Sequence, residues 1–163
     1  MSDQLTPQEI AWLDQEHRRT TETIRRCGVA AEYVIGDESE RRPSFAYSIG
    51  LFGLGHPEVL VFGLSDTNAG AVINGVAERV RSGADLTVGE VVSFADWAHR
   101  VTVEDVPNPG EILFSANGYY DRPPFASVPA LQLTYDDIQG RFPWEDGYSR
   151  PQWLQPRPGS FRA

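Results

Sequence analysis

The segment of residues 43–64, PSFAYSIGLFGLGHPEVLVFGL, constrains the fold more than any other part of the chain. Two apolar runs of strand length flank a glycine-rich turn. Large and small residues alternate in the first run, so one face of that strand is bulky and the other is small. The two faces are formed by Phe45, Tyr47 and Ile49, and by Ala46, Ser48 and Gly50. The segment therefore predicts two consecutive strands in the core of a sheet.

The N-terminal part of the chain carries a complete helix start signal. Thr6, Pro7 and Glu9 supply an N-cap, a favoured first-turn proline and the acid of a capping box. Gly28 supplies the stop, so the sequence predicts a helix over about residues 7–26.

Two further helices are predicted from the same kinds of signal. Ser65 or Asp66 caps a run whose apolar residues recur at the three-and-four spacing of an amphipathic helix, and this run ends near Gly83. Asn108 opens a second pattern of cap, proline and acid, which predicts a short helix before the last strand.

Strands and loops account for the remaining chain. Strands are predicted over residues 29–35, 88–94, 100–106 and 130–135, in addition to the two runs of the central segment. Prolines and aromatic residues recur after residue 140, which predicts an extended tail over about residues 140–163 that wraps the surface.

The order of these elements predicts the fold class α+β. Closely connected early strands favour a mostly antiparallel sheet, or a small open, split-type barrel with flanking helices, over a parallel doubly wound sheet. Of the 163 residues 40% are hydrophobic, so the chain is expected to form a single domain, residues 1–163, without a disulfide or metal.

The charge balance excludes several partners and chemistries. With 14 basic and 23 acidic residues the formal net charge is −9, the wrong sign for binding a phosphate backbone, so no nucleic-acid partner is expected. All 14 basic residues are arginine. The absence of lysine excludes a Schiff-base lysine, a pyridoxal phosphate linkage and the lysine of a phosphate-binding loop.

Cellular location is predicted from what the sequence lacks. The lone Cys27 cannot form an internal disulfide, and no apolar stretch approaches the roughly 20 residues that span a bilayer. The N-terminal residues lack the basic and apolar regions of a signal peptide. A cytoplasmic protein with no membrane association is therefore expected.

Four segments, taken together, resemble a known family. They are FAYSIGL at residues 45–51, GHPEVLVFGL at 55–64, LQLTYDD at 131–137 and GRFPWEDGY at 140–148. In this order they are similar to the hallmark segments of the uncharacterised bacterial family catalogued as domain of unknown function 4262, over roughly residues 25–155. The resemblance implies a small stand-alone bacterial domain and brings no established activity or catalytic residue with it.

The order of strands and helices also resembles flavin-binding split barrels, although no phosphate-binding fingerprint accompanies it. This topological similarity implies a flavin as a candidate cofactor. Ser44, Ser48, Arg41 and Arg42 are the residues that would hold its phosphate.

The candidate ligand site lies beside the small face of the central segment. His56 and Glu58 are two positions apart, which places both side chains on one face of a strand, where they can share a proton. Tyr47 and Ser48 are expected to line the same pocket. The alternative is structural, because a histidine before a proline in a tight turn often bonds only local backbone. The same pair could also bind a metal, but no spacing requires His99 or His17 as the third ligand of such a site, so no metal is expected.

The tail supplies the remaining predicted site residues. Arg141 offers a fixed cation for an anionic group, and Trp144 offers a flat surface for stacking. The alternative is that Phe142, Pro143 and Trp144 anchor the tail against the sheet while the neighbouring acids face water.

Two functions are compatible with these residues. The first is binding of a small ligand, with a flavin among the candidate cofactors and His56 as the acid-base group. The second is a non-enzymatic interaction module, in which the acidic surface and the aromatic tail bind another protein or stabilise a homodimer. The sequence does not decide whether the protein is an enzyme.

Overall fold

One six-stranded sheet and three helices form the framework of residues 4–163, the part of the chain that the computed structural model describes. The elements are α1 (Pro7–Cys27), β1 (Ala30–Val34), β2 (Phe45–Ile49), β3 (Glu58–Phe62), α2 (Asp66–Arg81), β4 (Val91–Phe94), β5 (Trp97–Asp105), α3 (Phe114–Tyr119) and β6 (Ala130–Tyr135). The predicted α+β class is confirmed. No helix among residues 4–163 has the length and apolarity needed to cross a bilayer.

The strands are arranged in the order β1-β2-β3-β6-β5-β4. All neighbours are antiparallel except β3 and β6, which run parallel. The chain therefore leaves the sheet after β3, forms α2 and the β4-β5 hairpin, and returns to place β6 between β3 and β5. Of the two predicted architectures, the mostly antiparallel sheet is the observed one, since the sheet does not close into a barrel.

The alternation in β2 divides the core as expected. The bulky residues Phe45 and Tyr47 pack in a cluster with α3, whereas Ala46 packs in a second cluster with α2. A Cβ atom on Gly50 would lie 3.4 Å from the Ile24 side chain of α1. Ala46 therefore lies in the core with α2, Gly50 lies close to α1, and Ser48 is completely buried.

Two predicted elements are displaced along the chain. β5 begins at Trp97 rather than Arg100, because a two-residue turn suffices to connect it to β4. The helix predicted from Asn108 forms only a 3-10 turn over Pro109–Glu111. The Asn108 side chain bonds Glu111 and the main-chain oxygen of Phe161 and does not cap the turn, so the α-helix starts later, in α3.

The tail is joined to the sheet by side chains that replace strand pairing. Gln155 accepts a hydrogen bond from the Tyr135 N–H and donates one to the Tyr135 carbonyl, both at 2.9 Å. Phe161 packs its ring edge-on against Phe45 and Phe62, with centroids 5.3 and 4.9 Å apart. The tail therefore belongs to the core on the face of α3.

Asp137 organises the start of the tail. Its carboxylate accepts hydrogen bonds from the N–H groups of Gln139, Arg141 and Ser149 and from the Ser149 hydroxyl, at 2.9 to 3.0 Å. Burial acts to raise the pKa of Asp137, but these donors outweigh it and lower the pKa to about 2.

Asp137 is expected to make the protein less stable in acid. Because its pKa in the folded state lies below the ordinary 3.8, its contribution is complete above about pH 4 and is lost as the pH falls toward 2. Asp137→Asn should be less stable at pH 7, with a shallower loss of stability on acidification. Urea denaturation at several pH values measures this, with Asp146→Asn, which changes an exposed tail acid, as the control. If the free energy of unfolding fell equally steeply with pH in wild type and in Asp137→Asn, Asp137 would not be the cause of the acid sensitivity.

Candidate functional site

The carboxyl ends of β3 and β6 lie side by side because these two strands are parallel. β5 begins at the same edge, since it is antiparallel to β6. Ligands of open sheets with parallel strands commonly bind where such strand ends leave the sheet. Trp97, His99 and Asp136 meet at this edge.

His99 is held there in one orientation. Its Nδ1 lies 2.7 Å from the main-chain oxygen of Asp136 and 3.3 Å from the carboxylate Oδ1. Both partners are acceptors, so Nδ1 carries the proton and Nε2 presents a lone pair when the ring is neutral. Within residues 4–163 Nε2 has no hydrogen-bond partner, and the side chain is 25% exposed. His99 thus offers a fixed proton acceptor at the surface.

Asp136 is held in turn by Arg100. The Arg100 main-chain N–H donates to Oδ1 at 3.0 Å and its guanidinium Nε donates to Oδ2 at 2.9 Å. The pairing of β5 with β6 explains this contact, because Val101 lies opposite Tyr135 and the next residues, Arg100 and Asp136, extend the ladder. The buried carboxylate is therefore paired with a cation and orients the imidazole.

Two aromatic rings flank the imidazole. The Trp97 and Tyr135 centroids lie 4.9 and 5.6 Å from that of His99. The Tyr135 hydroxyl donates a hydrogen bond to the Gly63 carbonyl at 2.8 Å and so ties the end of β6 to the end of β3. Burial raises the pKa of Tyr135 to about 12, which keeps this hydroxyl a neutral donor at physiological pH.

Arg150 supplies a positive charge next to this cluster. Its charge acts to lower the pKa of Tyr135 and of Tyr148, against the larger effect of burial. It forms no hydrogen bond or ion pair in the described chain and lines a groove of about 420 Å³. The groove is also lined by Arg42, Ser44 and Trp153 and by two acids, Asp37 and Glu38. An anionic group entering the groove would meet an arginine that has no other partner.

Ser48 and Glu58, two of the predicted site residues, lie together but are fully buried. The Glu58 carboxylate accepts hydrogen bonds from the Ser48 hydroxyl at 2.5 Å and from the N–H groups of Gly50, Leu51 and Phe52 at 2.9 to 3.3 Å. Burial raises the pKa of Glu58, and these donors oppose that effect. All four acceptor positions of the carboxylate are used inside the protein.

His56 and Tyr47 form hydrogen bonds with other parts of the chain. His56 Nδ1 lies 2.7 Å from the Pro57 carbonyl, and its Nε2 accepts a hydrogen bond from the Leu86 N–H at 3.3 Å. β3 begins only at Glu58, so strand alternation does not extend back to His56 and the two side chains share no hydrogen bond. The buried Tyr47 hydroxyl accepts from a main-chain N–H at the start of α3.

Arg141 and Trp144 lie on the tail, apart from the four residues above. Arg141 donates to the Gln139 side chain and to the Gly147 carbonyl. Trp144 stacks on Phe142 with centroids 5.1 Å apart, and the Arg157 guanidinium lies 4.7 Å from the Trp144 centroid. No hydrogen bond or ring contact in the described chain joins Arg141 or Trp144 to the other predicted site residues.

The sequence analysis considered His99 only as a third metal ligand and included Asp136 only within the segment of residues 131–137. The signal that identifies them is the pairing of the two strands predicted at residues 100–106 and 130–135. If those strands are antiparallel neighbours, the residue before the first lies beside the residue after the second. The pairing of these two strands is a tertiary contact, and no local pattern in the sequence indicates it.

A comparison with protein-family models matches residues 23–149 to the family described as Domain of unknown function (DUF4262). This is the family that the four segments of the chain resemble, and the match covers more than half of the chain. Curated proteins give no significant match to the chain.

Proposed function

We propose that the chain, which belongs to the DUF4262 family, binds a small anionic ligand at the carboxyl ends of β3 and β6 and exchanges a proton with it through His99. The proposal rests on the orientation and exposure of the His99 imidazole. Asp136 fixes Nδ1, while Nε2 has no partner within residues 4–163 and the ring is 25% exposed. An oriented histidine with one accessible nitrogen is the arrangement that general acid-base chemistry uses.

The neighbouring residues support an anionic ligand with a flat part. Arg150 has no protein partner in the described chain, so a carboxylate or phosphate can pair with it without displacing another contact. Trp97 and Tyr135 supply aromatic surface beside His99. The ligand class is therefore a small molecule that combines an acidic group, a planar group and an exchangeable proton.

A flavin mononucleotide has these properties and is the cofactor to test first. Two of the residues predicted to hold its phosphate, Arg42 and Ser44, line the same groove as Arg150. The open sheet removes the barrel resemblance that first suggested a flavin. The hypothesis of a bound flavin is therefore supported only by the residues that line the groove. The cytoplasmic location of the protein remains a prediction.

The chain contains three histidines, so the NMR signals of each imidazole ring can be assigned by three single substitutions. Long-range proton–nitrogen NMR spectra report the tautomer of each ring, and His17→Gln, His56→Gln and His99→Gln assign the signals. We expect His99 to carry its proton on Nδ1 in the neutral form. Phosphate, acetate and flavin mononucleotide, added one at a time, should shift the His99 signals and leave those of His17 unchanged.

Binding of the best of these probes is then measured by calorimetry. His99→Gln and Arg150→Ala should each weaken it about tenfold or more, because each removes a hydrogen bond to a charged group. His17→Gln, which changes an exposed histidine, is the matched control. Native mass spectrometry of the protein as purified, with an absorbance spectrum, shows whether a flavin is retained. A proton on Nε2 of His99, or equal binding by His99→Gln, would overturn the proposal.

A further inference from the structure

A second groove, of about 570 Å³, lies between the β1–β2 connection and the end of the tail. It shares Arg42 and Trp153 with the groove of Arg150, but Arg150 lines only that first groove, and His99 lines neither. Small-molecule sites have volumes of about 300 to 1,000 Å³. The second groove is therefore large enough to hold a small molecule.

Arg42 lies over an aromatic floor in this second groove. The Phe161 side chain is 9% exposed and packs edge-on against Phe45 and Phe62. The guanidinium carbon of Arg42 lies 5.4 Å from the centroid of the Phe161 ring. A guanidinium has five N–H donors, and the hydrogen bond that this one makes within residues 4–163 is long, 3.5 Å to the Arg162 carbonyl. Arg42 thus presents a cation with most of its donors free to bind a ligand.

A second cation of the groove is Arg41. Its side chain forms no hydrogen bond, ion pair or ring contact with the rest of the described chain. Arg162 also lines the groove, but it is paired with Glu111 at 3.1 Å. Glu40 is the one acid among the lining residues, and it forms no ion pair within residues 4–163. Arg41 and Arg42 are therefore neighbouring cations without a carboxylate partner, and an anion bound to both offsets their repulsion.

Trp153 supplies aromatic surface beside these cations. The ring is half-buried and contacts no other ring or guanidinium among residues 4–163. Its indole N–H forms no hydrogen bond there and is not enclosed, since Asn108 Oδ1 is the buried unpaired side-chain atom of that part of the chain. The next two residues fix its position. Leu154 lies so close to Gly63 that an added Cβ atom would be 2.8 Å away, and Gln155 is hydrogen-bonded to the main chain of β6.

The other tryptophan of the tail has partners inside the protein. Trp144 stacks on Phe142, and the Arg157 guanidinium lies 4.7 Å from the Trp144 centroid. Arg157 in turn pairs with Glu104, and its Nη1 donates to the carboxylate at 2.9 Å. There the tryptophan, the arginine and the acid bind one another. At the second groove a tryptophan and two arginines lie together without such partners, which indicates that the partner is a ligand.

From these contacts we infer that the second groove binds a planar anion, an aromatic ring that carries a phosphate or carboxylate group. The anionic group pairs with Arg41 and Arg42, because guanidinium groups bind such oxygens through parallel hydrogen bonds. The ring stacks on Trp153. Arg41 lines only this groove and Arg150 only the first, so the inference does not depend on the ligand proposed for His99.

Calorimetry with adenosine monophosphate, adenosine and inorganic phosphate tests the ligand class. Adenosine monophosphate should bind at least about tenfold more tightly than either part alone, because one molecule supplies both the anion and the ring. Binding should weaken as salt is added, since the arginines are exposed. Phosphate that bound as tightly as adenosine monophosphate, or no binding of the nucleotide, would overturn the inference.

Three arginine variants locate the bound nucleotide. Arg41→Gly removes the cation and suits the φ of 52° at this position, so the turn is retained. It should weaken binding about tenfold or more, because a hydrogen bond to a charged group is lost. Arg150→Ala, in the first groove, and Arg26→Ala, at the exposed end of α1, should have no such effect. A loss with Arg150→Ala and none with Arg41→Gly would place the nucleotide in the first groove and overturn this inference alone.

Tryptophan fluorescence tests the stacking. The chain contains four tryptophans, and adenosine monophosphate should quench the emission of Trp153. Trp153→Phe should therefore lose the quenching, whereas the matched variant Trp144→Phe should keep it. Equal quenching in wild type and Trp153→Phe would show that the ring does not lie on Trp153. Thermal denaturation of both variants checks that the tail remains folded.

Discussion

Glu58→Ala is expected to lower the free energy of unfolding by at least about 3 kcal/mol, or to prevent folding. The substitution leaves the N–H groups of Gly50, Leu51 and Phe52 without their acceptor, in a part of the protein where Glu58 is fully buried. Each unsatisfied buried donor costs about 1 to 3 kcal/mol. Since small domains are stable by only about 5 to 15 kcal/mol in total, this is a large fraction of the stability.

Urea denaturation measures the loss, and two variants define its cause. Glu58→Gln keeps one oxygen, which can still accept from Gly50 and Phe52, so its loss should be smaller than that of Glu58→Ala. Glu78→Ala changes an exposed glutamate of α2 and should alter stability by no more than about 0.5 kcal/mol. If Glu58→Ala matched Glu78→Ala, the loop would not depend on the carboxylate.

Gly110→Ala should also be strongly destabilising, whereas the same change at Gly70 should stabilise the protein. A Cβ atom on the buried Gly110 would lie 2.1 Å from the Pro124 carbonyl oxygen, so main chain would have to move. Overpacking of this kind costs about 3 kcal/mol, or more where the neighbour cannot adjust. Gly70 lies inside α2 with no heavy atom within 4 Å of an added Cβ. Alanine there gains about 0.5 to 1 kcal/mol from the smaller loss of backbone entropy.

Thermal denaturation distinguishes the two glycine variants by sign. At about 2 to 4 °C per kcal/mol for a chain of this size, Gly110→Ala should melt at least about 6 °C below wild type. Gly70→Ala should melt about 2 °C above it. A melting temperature of Gly110→Ala equal to that of wild type would mean that the segment around Pro124 moves freely, contrary to its packing.

Local sequence patterns predicted most of the secondary structure because those signals act over a few residues. The apolar spacing of α2 corresponds to its buried residues, among them Val72, Ile73 and Val76. The alternation in β2 corresponds to its two core clusters. The start of α3 was displaced because Asn108 bonds Phe161, a residue 53 positions away that no local pattern includes.

The candidate site was harder to predict because it depends on which strands are neighbours. Consecutive strands suggested antiparallel pairs, and the insertion of β6 beside β3 has no local signal. The pairing of β6 with β5 brings His99 and Asp136 together, and the pairing of β6 with β3 places the end of β3 beside them. The predicted pair of His56 and Glu58 is only two positions apart in sequence, yet the two side chains make different contacts, since the strand begins only at Glu58.

The position of β6 also determines the order in which the sheet can be completed. β6 forms hydrogen bonds with both β3 and β5, although it is the last strand in the chain. The hairpins β1-β2-β3 and β4-β5 use contacts that are close in sequence and can form early, whereas their union waits for residues more than 60 positions after β3. Until then β3 and β5 each have an unpaired edge, which is the kind of surface through which partly folded chains aggregate. The same strand that creates the site therefore makes the newly synthesised chain vulnerable until its C-terminal third has emerged.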